Sequence, residues 1–420
     1  MRKKITIGLC LAFCLFGSAC SFESTDNVVK NTPKPRTQAT TSIDAANEQR
    51  KNQIVTDSTE IDAMATTIVE KLTLEQKVGQ LFIANLEQLD QSEGEFAQQR
   101  EYNTNMGETL RDYHIGGVIL FSRNIESINQ TTGLISSLQS NADIPLFVSV
   151  DEEGGDVARV GNNSNMRTTT FPPMEEVGKT KDESYVYQMG ATIGRDIKSL
   201  GFNVDFAPVA DVKTNEYNKE IGNRSFGSDA KKVAKFVKQA VIGIQDQNVS
   251  ATLKHFPGHG STTGDTHDTP VNVEDDLYTL RSREFLPFQA GIDAGADFVM
   301  VSHISISKVT ENTVPASMSK LVIQNMLREE LGFEGIVITD AMDMGAITKV
   351  YAPEKAAVKC IKAGADIVLM STDVRKSYEA VLKAVKDGTI SEEQLNASVD
   401  RIIRVKIKRG IILRNTDILK

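Results

Sequence analysis

The chain contains no tryptophan, and only 6% of its 420 residues are aromatic. This scarcity argues against a long binding cleft lined by aromatic rings and favours a compact pocket. Basic residues are outnumbered by acidic ones, since 47 Lys and Arg against 56 Asp and Glu give a net charge of −9. That sign argues against nucleic acid and against an anionic membrane surface as partners. The hydrophobic fraction of 40% still suffices for one sizeable core.

The first twenty residues have the composition of an export signal. Residues 1–4 are basic, residues 5–16 are apolar but too few to span a bilayer comfortably, and residues 17–20 form a small-residue cleavage site. The segment resembles a bacterial lipoprotein signal, in which Cys20 is lipidated and becomes the mature amino terminus. We therefore expect an extracytoplasmic, lipid-anchored protein, with ordinary secretion as the alternative.

The four cysteines are placed so that a disulfide within the mature chain is excluded. Cys10 and Cys14 leave with the signal and Cys20 carries the lipid, so that only Cys360 remains, as a buried apolar residue on a predicted helix. Residues 21–60 are polar and are predicted to form a disordered tether. Residues 61–415 are then predicted to form a single catalytic domain.

The most informative segment is residues 254–270, KHFPGHGSTTGDTHDTP, which holds three of the five histidines. Pro257 and Gly258 separate His255 from His259, so the two imidazoles cannot share one face of a helix. Asp265 precedes His267 by two residues. An exposed loop rich in titratable side chains is typical of a catalytic site, and the chain is predicted to be an enzyme.

Around this loop, one unit recurs: a short apolar run, a polar tip and an amphipathic stretch of helical length. Eight runs are predicted to be strands: residues 78–85, 117–121, 145–150, 204–210, 249–253, 296–301, 335–339 and 365–370. The helices predicted between them include residues 185–200, 231–245, 277–294, 318–331 and 354–363. This alternation predicts a (β/α)₈ barrel with its site at the carboxyl ends of the strands. An open doubly wound sheet is the alternative, but no strand is followed by the glycine-rich phosphate turn that would favour it.

Many titratable side chains lie at the carboxyl-terminal tips of the predicted strands. Four of the five histidines fall at tips, and only His114 does not. The other tip residues include Asp151–Asp156 with Arg159 after the third strand, Asp211 after the fourth, His303 after the sixth, and Asp340 and Asp343 after the seventh. A lone histidine is more often a satisfied core or surface group, but four that converge favour a functional site.

The histidine loop resembles the signature of the β-N-acetylhexosaminidase branch of glycoside hydrolase family 3, K-H-F-P-G-H-G followed by D-x-H. The resemblance runs from about Ile68 to Ile411. It extends to these shorter motifs: KVGQ at 77–80, GGVILF at 116–121, DEEGG at 151–155, APVAD at 207–211, NRSF at 223–226 and ITDAM at 338–342. It implies a (β/α)₈ barrel, in agreement with the count of strands. Larger members carry a second α/β domain, which we do not expect here.

The resemblance also implies roles for individual residues. Asp340 matches the nucleophile that forms a covalent glycosyl-enzyme, His267 the general acid/base, and Asp265 its dyad partner. The positions that hold the terminal sugar match Asp151, Arg159, Arg224, Lys254 and His255. The sequence departs from the family at Glu152, where glutamine is common, and at Asp156, where arginine is common.

The predicted function is a retaining exo-β-N-acetylglucosaminidase that is monomeric, uses no cofactor or metal, and acts on cell-wall fragments or chitooligosaccharides. A β-glucosidase of the same family is the nearest alternative. A metal-dependent hydrolase using His255, His259, His303 and Asp265 is a second, and a non-catalytic sugar-binding lipoprotein is a third. Whether water or phosphate accepts the glycosyl group stays open.

Overall fold

The computed structural model describes residues 53–92, 94 and 97–416. The predicted signal segment, Cys20 and most of the predicted tether lie outside these residues. Val55 is already buried, and the first helix begins at Ser58, where the Asp57 side chain accepts the Glu60 N–H (2.9 Å). The packed body therefore starts several residues before the predicted boundary at residue 61.

Eight parallel strands form the central sheet, and a short hairpin lies beside it. The strands are β1 Phe82–Asn85, β2 Gly117–Ile119, β3 Phe147–Val150, β6 Val204–Asp205, β7 Ser250–Phe256, β8 Phe298–Val301, β9 Ile336–Thr339 and β10 Val368–Leu369, and the hairpin is β4 Glu152–Gly154 with β5 Val157–Ala158. Within the sheet the order is β10-β1-β2-β3-β6-β7-β8-β9. Ile338 bridges to Ile367 in parallel, and the Thr339 N–H donates to the Ile367 carbonyl (3.0 Å), so β9 meets the β10 end and the barrel closes. The predicted (β/α)₈ barrel is confirmed.

Helices surround the barrel. They are α1 Ser58–Lys71, α2 Leu74–Gly79, α3 Leu86–Leu89, α4 Thr104–Asp112, α5 Ile128–Ser140, α6 Met174–Thr180, α7 Glu183–Leu200, α8 Ala230–Gln245, α9 Leu277–Thr279, α10 Phe285–Asp293, α11 Ser307–Thr310, α12 Gly345–Thr348, α13 Pro353–Ala363, α14 Val374–Lys386 and α15 Glu392–Lys408. Two further segments, Leu280–Glu284 and Leu321–Glu330, are π-helical. None of the helices in the described part of the chain is long and apolar enough to cross a membrane.

The predicted elements and the observed ones differ most at two strands: the fourth, predicted at 204–210 and observed only at Val204–Asp205, and the first. Val78 lies in α2, not in a strand, because Thr73 and Gln76 form a capping box that starts a helix there. The apolar run that begins at residue 78 is therefore split between a helix and β1. The helices predicted at 185–200, 231–245 and 354–363 match α7, α8 and α13 to within two residues.

The barrel strands are buried on both faces, which explains why the sequence shows continuous apolar runs there and no alternation. All residues of β1, β3, β8 and β9 are buried. Cys360 is buried on α13, as predicted for a structural apolar cysteine. Because the strands are parallel, their carboxyl ends open on one face, and the predicted catalytic and sugar-binding residues lie near the end of a strand or in the connection that follows one.

Candidate active site

Asp340 stands directly after β9, at the carboxyl end of the barrel. Its backbone N–H donates to the Val301 carbonyl (2.9 Å), and its carboxylate accepts the N–H of Ala341 (2.8 Å). Burial opposes ionisation of this carboxyl, but the nearby His255 and His303 imidazoles outweigh it and hold the pKa of Asp340 below its usual value. Asp340 is therefore a carboxylate, the form that a nucleophile needs.

His267 reaches the same face from the loop that follows β7. The backbone of this loop is fastened to the start of α12, because the Gly345 N–H donates to the His267 carbonyl (2.7 Å) and the Ala346 N–H to that of Thr266 (3.0 Å). A Cβ at position 345 would lie 2.6 Å from the His267 carbonyl oxygen, so only glycine permits this approach. The segment that carries Asp340 thus also positions His267.

The Nδ1 atom of His267 contacts two carboxylates. It lies 2.9 Å from Asp265 Oδ1, as the predicted dyad requires, and 3.1 Å from Glu220 Oε2. Hydrogen bonding to Glu220, opposed by partial burial and supported by Asp265, raises the pKa of His267 to about 9. The imidazole is then protonated at neutral pH. It carries a proton at Nε2, which has no hydrogen-bond partner among the described residues.

The residues predicted to hold the sugar form one ionic network. Lys254 Nζ lies 2.8 Å from Asp151 Oδ1 and 2.6 Å from Glu153 Oε1, and Arg224 donates twice to Glu153 (2.7 and 2.9 Å). Arg159 lies 3.8 Å from Asp151. Burial opposes charge on Glu153, but Arg224 and Lys254 hold its pKa well below the usual range. Glu153, buried between two cations, belongs to the carboxylate cluster that the sequence shows after the third strand, but the sequence predicted no role for it.

His255 is fixed by Asp211, a second carboxylate whose role the sequence did not show. Asp211 Oδ2 lies 2.7 Å from His255 Nδ1, and Asp211 Oδ1 accepts the backbone N–H of His259 (2.6 Å). The Nε2 atom of His255 is left 3.5 Å from Arg224 Nη2. Asp211 therefore organises the loop by binding its backbone and by orienting one imidazole.

A cavity of about 1070 Å³ joins these groups. Seven of the eight predicted catalytic and sugar-binding residues line it: Asp340, His267, Asp151, Arg159, Arg224, Lys254 and His255. Asp265 supports His267 from outside the cavity wall. The opposite side of the cavity is formed by the segments that follow β1, β2 and β10. There Arg123 pairs with Glu87 (2.7 and 3.0 Å) and lies 4.5 Å from the centre of the Phe121 ring. This volume is large for a small-molecule site, so the cavity has room for more than the smallest ligands.

The two departures from the family pattern lie at different depths. Glu152 is buried and accepts the backbone N–H groups of Val160 and Gly161 (2.7 Å each), while burial raises the pKa of Glu152 to about 7. Asp156 lies outside the cavity lining and accepts the Asn223 side-chain amide (2.8 Å). Glu152 thus supports the β4–β5 hairpin, and Asp156 supports the segment that leads into Arg224.

Two of the histidines proposed for a metal centre, His259 and His303, use both ring nitrogens in contacts with other protein groups. His259 contacts Thr262 and Thr266 through its two ring nitrogens (3.0 and 3.3 Å), and His303 contacts Ser317 and the Ala341 carbonyl (2.9 and 3.0 Å). Within the described residues, one set of side chains offers ligand atoms that all lie within 4.8 Å of one another: Glu220, Asp265 and His267. These three are joined through the hydrogen bonds of His267 Nδ1, and the four residues proposed for a metal centre do not form such a set.

Comparison with known proteins decides the family. Residues 73–405 match the family described as the glycosyl hydrolase family 3 N terminal domain. The chain belongs to glycosyl hydrolase family 3. The predicted family and the predicted class, a glycoside hydrolase, are confirmed.

Individual family 3 relatives support the β-hexosaminidase branch. The chain is 33% identical over 331 residues to the beta-hexosaminidase A of Pseudoalteromonas piscicida, covering 72% of this chain and 55% of that protein. It is 29% identical over 370 residues to a beta-N-acetylglucosaminidase/beta-glucosidase of Cellulomonas fimi, covering 83% and 60%. The solved family 3 beta-N-acetylglucosaminidase of Paenibacillus sp. str. FPU-7 superposes with a TM-score of 0.75 at 36% identity, covering 81% and 63%. The chain spans less than two thirds of the length of each of these three proteins.

Proposed function

We propose that this family 3 chain is a retaining exo-β-N-acetylglucosaminidase that removes a terminal non-reducing N-acetylhexosamine from peptidoglycan fragments or chitooligosaccharides. One observation carries the proposal: an ionised Asp340 and a protonated His267 line the same cavity. A carboxylate and a proton donor at one site are what displacement at an acetal carbon requires. The names of the relatives above support N-acetylhexosamine as the sugar.

In the first step, an Asp340 carboxylate oxygen bonds to the anomeric carbon while the bond to the leaving oxygen breaks. His267 gives its Nε2 proton to that oxygen, because its Nδ1 is held by Asp265 and Glu220. Asp265 also stabilises the imidazolium form, as a triad aspartate does. The products are a covalent glycosyl-enzyme and the released alcohol.

In the second step, neutral His267 takes a proton from water at Nε2 as the water oxygen bonds to the anomeric carbon and the Asp340 ester breaks. The two displacements together retain the β configuration. Asp151, Lys254, Arg224, Arg159 and His255 bind the sugar hydroxyls through the ionic network that fixes their positions. Because these contacts hold the side chains in place, little ordering is left for the binding step.

The substrate assignment is tested with p-nitrophenyl β-glycosides of GlcNAc, GalNAc and glucose, each with and without phosphate. We expect the GlcNAc compound to give the highest kcat/KM, and phosphate to leave the rate unchanged, since water is the proposed acceptor. A β-glucosidase is the second candidate, because the Cellulomonas fimi relative carries both activities in its name. A preference for the glucoside would replace the proposal with that candidate, and a rate that depends on phosphate would make the chain a phosphorylase.

We also propose that the protein is exported and tethered by lipid on Cys20. The support is the basic start, the short apolar stretch and the small residues that precede this cysteine. Cys20→Ser is expected to move the protein from the membrane fraction to the soluble fraction with unchanged specific activity. Cys14→Ser is the matched control and is expected to stay with the membrane. Membrane association of the Cys20→Ser protein would contradict a lipid anchor at this position.

A further inference from the structure

Glu220 lies in the connection between β6 and α8, 47 residues from His267 in sequence, yet it contacts the His267 ring. Its Oε2 lies 3.1 Å from His267 Nδ1, while its Oε1 accepts from Arg224 Nη1 (3.2 Å). The two oxygens of one carboxylate therefore contact the acid/base and a sugar-binding cation. Nothing in the family motifs assigns this residue a role.

Glu220 is better shielded from solvent than Asp265, the other carboxylate on His267. The Glu220 side chain is 14% exposed, against 43% for Asp265. Charge interactions are stronger where water is excluded, so at similar distances Glu220 is the stronger electrostatic partner of the imidazolium. Burial opposes its ionisation, but His267 and Arg224 lower the pKa of Glu220 to about 2. Between about pH 2 and about pH 9, Glu220 is therefore ionised while His267 is protonated.

Arg224 links Glu220 to the residues predicted to bind the sugar. It donates twice to Glu153, which also contacts Lys254, and it lies against His255. The Glu220 carbonyl also accepts from Arg224 Nη1 (3.0 Å), so backbone and side chain both fix the distance between these two residues. A shift of Arg224 on sugar binding would be passed to His267 through Glu220.

We propose that Glu220 is a positioning residue that shares the Nδ1 hydrogen of His267 with Asp265 and joins the acid/base to Arg224 of the sugar site. The inference rests on the proposed function, since it needs His267 as acid/base. Glu220 makes the protonated imidazole the resting state and keeps Nε2 directed away from the carboxylate pair. Asp265 and Glu220 act together in this role, so that neither carboxylate alone accounts for the orientation of the ring.

The pH behaviour that follows depends on every charged group facing His267. Asp265 lies on the loop of His267, Glu220 and Arg224 on the β6–α8 connection, His255 on β7, and Asp340 and Asp343 between β9 and α12. Of these, Glu220 is the first contributor to the raised pKa of His267, ahead of Asp265. Loss of its charge should lower that pKa and move the alkaline limb of the kcat/KM profile to lower pH.

The test compares Glu220→Gln with wild type over a full pH profile, using an aryl N-acetylglucosaminide with a poor leaving group. We expect the alkaline limb to move down by about one to two pH units, and kcat to fall about tenfold at about pH 8.5 but much less at about pH 6. KM should change less than kcat, because Arg224 keeps both hydrogen bonds to Glu153. Titration of the His267 ring by NMR, with His267→Ala to assign the signal, should show the same shift without reference to turnover.

Three variants complete the design. Glu216→Gln, an exposed glutamate on the same connection, is the matched control and should keep the wild-type profile. Glu220→Asp keeps the charge on a shorter side chain and should lie between wild type and Glu220→Gln in the position of the limb. Asp265→Asn should shift it by less than Glu220→Gln does.

An unshifted limb together with an unshifted NMR titration in Glu220→Gln would overturn the inference, as would a loss of kcat that is uniform with pH. Those outcomes leave the proposed function standing as long as Asp340→Ala and His267→Ala are impaired as expected. An active Asp340→Ala enzyme would instead overturn the proposed function itself.

Discussion

Asp340→Ala is expected to lose turnover by a factor on the order of 10⁴ or more while remaining folded, because the carboxylate that would attack the sugar is gone. The fold should survive the change. Among the described residues, the Asp340 side chain accepts a hydrogen bond only from the neighbouring Ala341 N–H, and its backbone bond to Val301 is kept in the variant. The measurements are kcat/KM on the p-nitrophenyl GlcNAc substrate and the circular dichroism melting curve of the same preparation.

Asp343 is the natural control, since it is a second carboxyl on the same wall of the cavity. Desolvation by the surrounding cavity wall and the Asp340 charge raise the pKa of Asp343 to about 6, so it is partly protonated near neutral pH and is the poorer nucleophile. A fluorinated mechanism-based sugar should therefore label a peptide at Asp340 in wild type and in Asp343→Ala, and should not label Asp340→Ala. Label on any other residue, or an active Asp340→Ala enzyme, would contradict the assignment.

The fold was predictable because the sequence repeats one pattern eight times. Parallel strands covered by helices are buried on both faces, and short apolar runs at regular spacing are the direct consequence. Val78 is the exception, because it lies in a helix, and a buried helix segment and a buried strand give the same apolar run in sequence. The capping box formed by Thr73 and Gln76 is a local signal that separates the two cases.

The site was predictable where its residues are close in sequence or fall at strand ends. Asp265 and His267 are two residues apart, and Asp340 ends an apolar run, so the residues themselves mark the position. Glu153 follows the third strand and was visible as part of a carboxylate cluster, but its place between Arg224 and Lys254 depends on the β4–β5 hairpin that turns the chain back.

Glu220 could not be found in this way, because its contact with His267 joins two irregular loops. Neither loop has a periodicity that sets the direction of its side chains, and 47 residues separate the pair. A weak signal exists in the spacing of Glu220 and Arg224, four residues apart and of opposite charge. Such spacing is common on surfaces and does not by itself point to a catalytic partner.

His267→Ala is expected to impair substrates with poor leaving groups by about 10²- to 10⁴-fold and activated aryl glycosides far less. A phenol of low pKa departs with little proton assistance, so the loss of an acid matters less as the leaving group improves. The measurement is a series of aryl N-acetylglucosaminides with wild type and variant, plotted as log kcat/KM against the pKa of the phenol. The variant should show the steeper slope, and equal losses across the series would exclude His267 as the acid.

Two further readouts separate the acid and base roles of His267. Because the pKa of His267 is raised to about 9, wild-type kcat/KM should hold through neutral pH and fall above about pH 9, where the ring loses its proton. His267→Ala should lack that limb. Azide, which attacks the glycosyl-enzyme without a base, should restore turnover of the activated substrates in the variant and form a glycosyl azide of retained configuration. If azide has no effect while the leaving-group slope steepens, His267 acts as the acid only, and another group must take the proton from water.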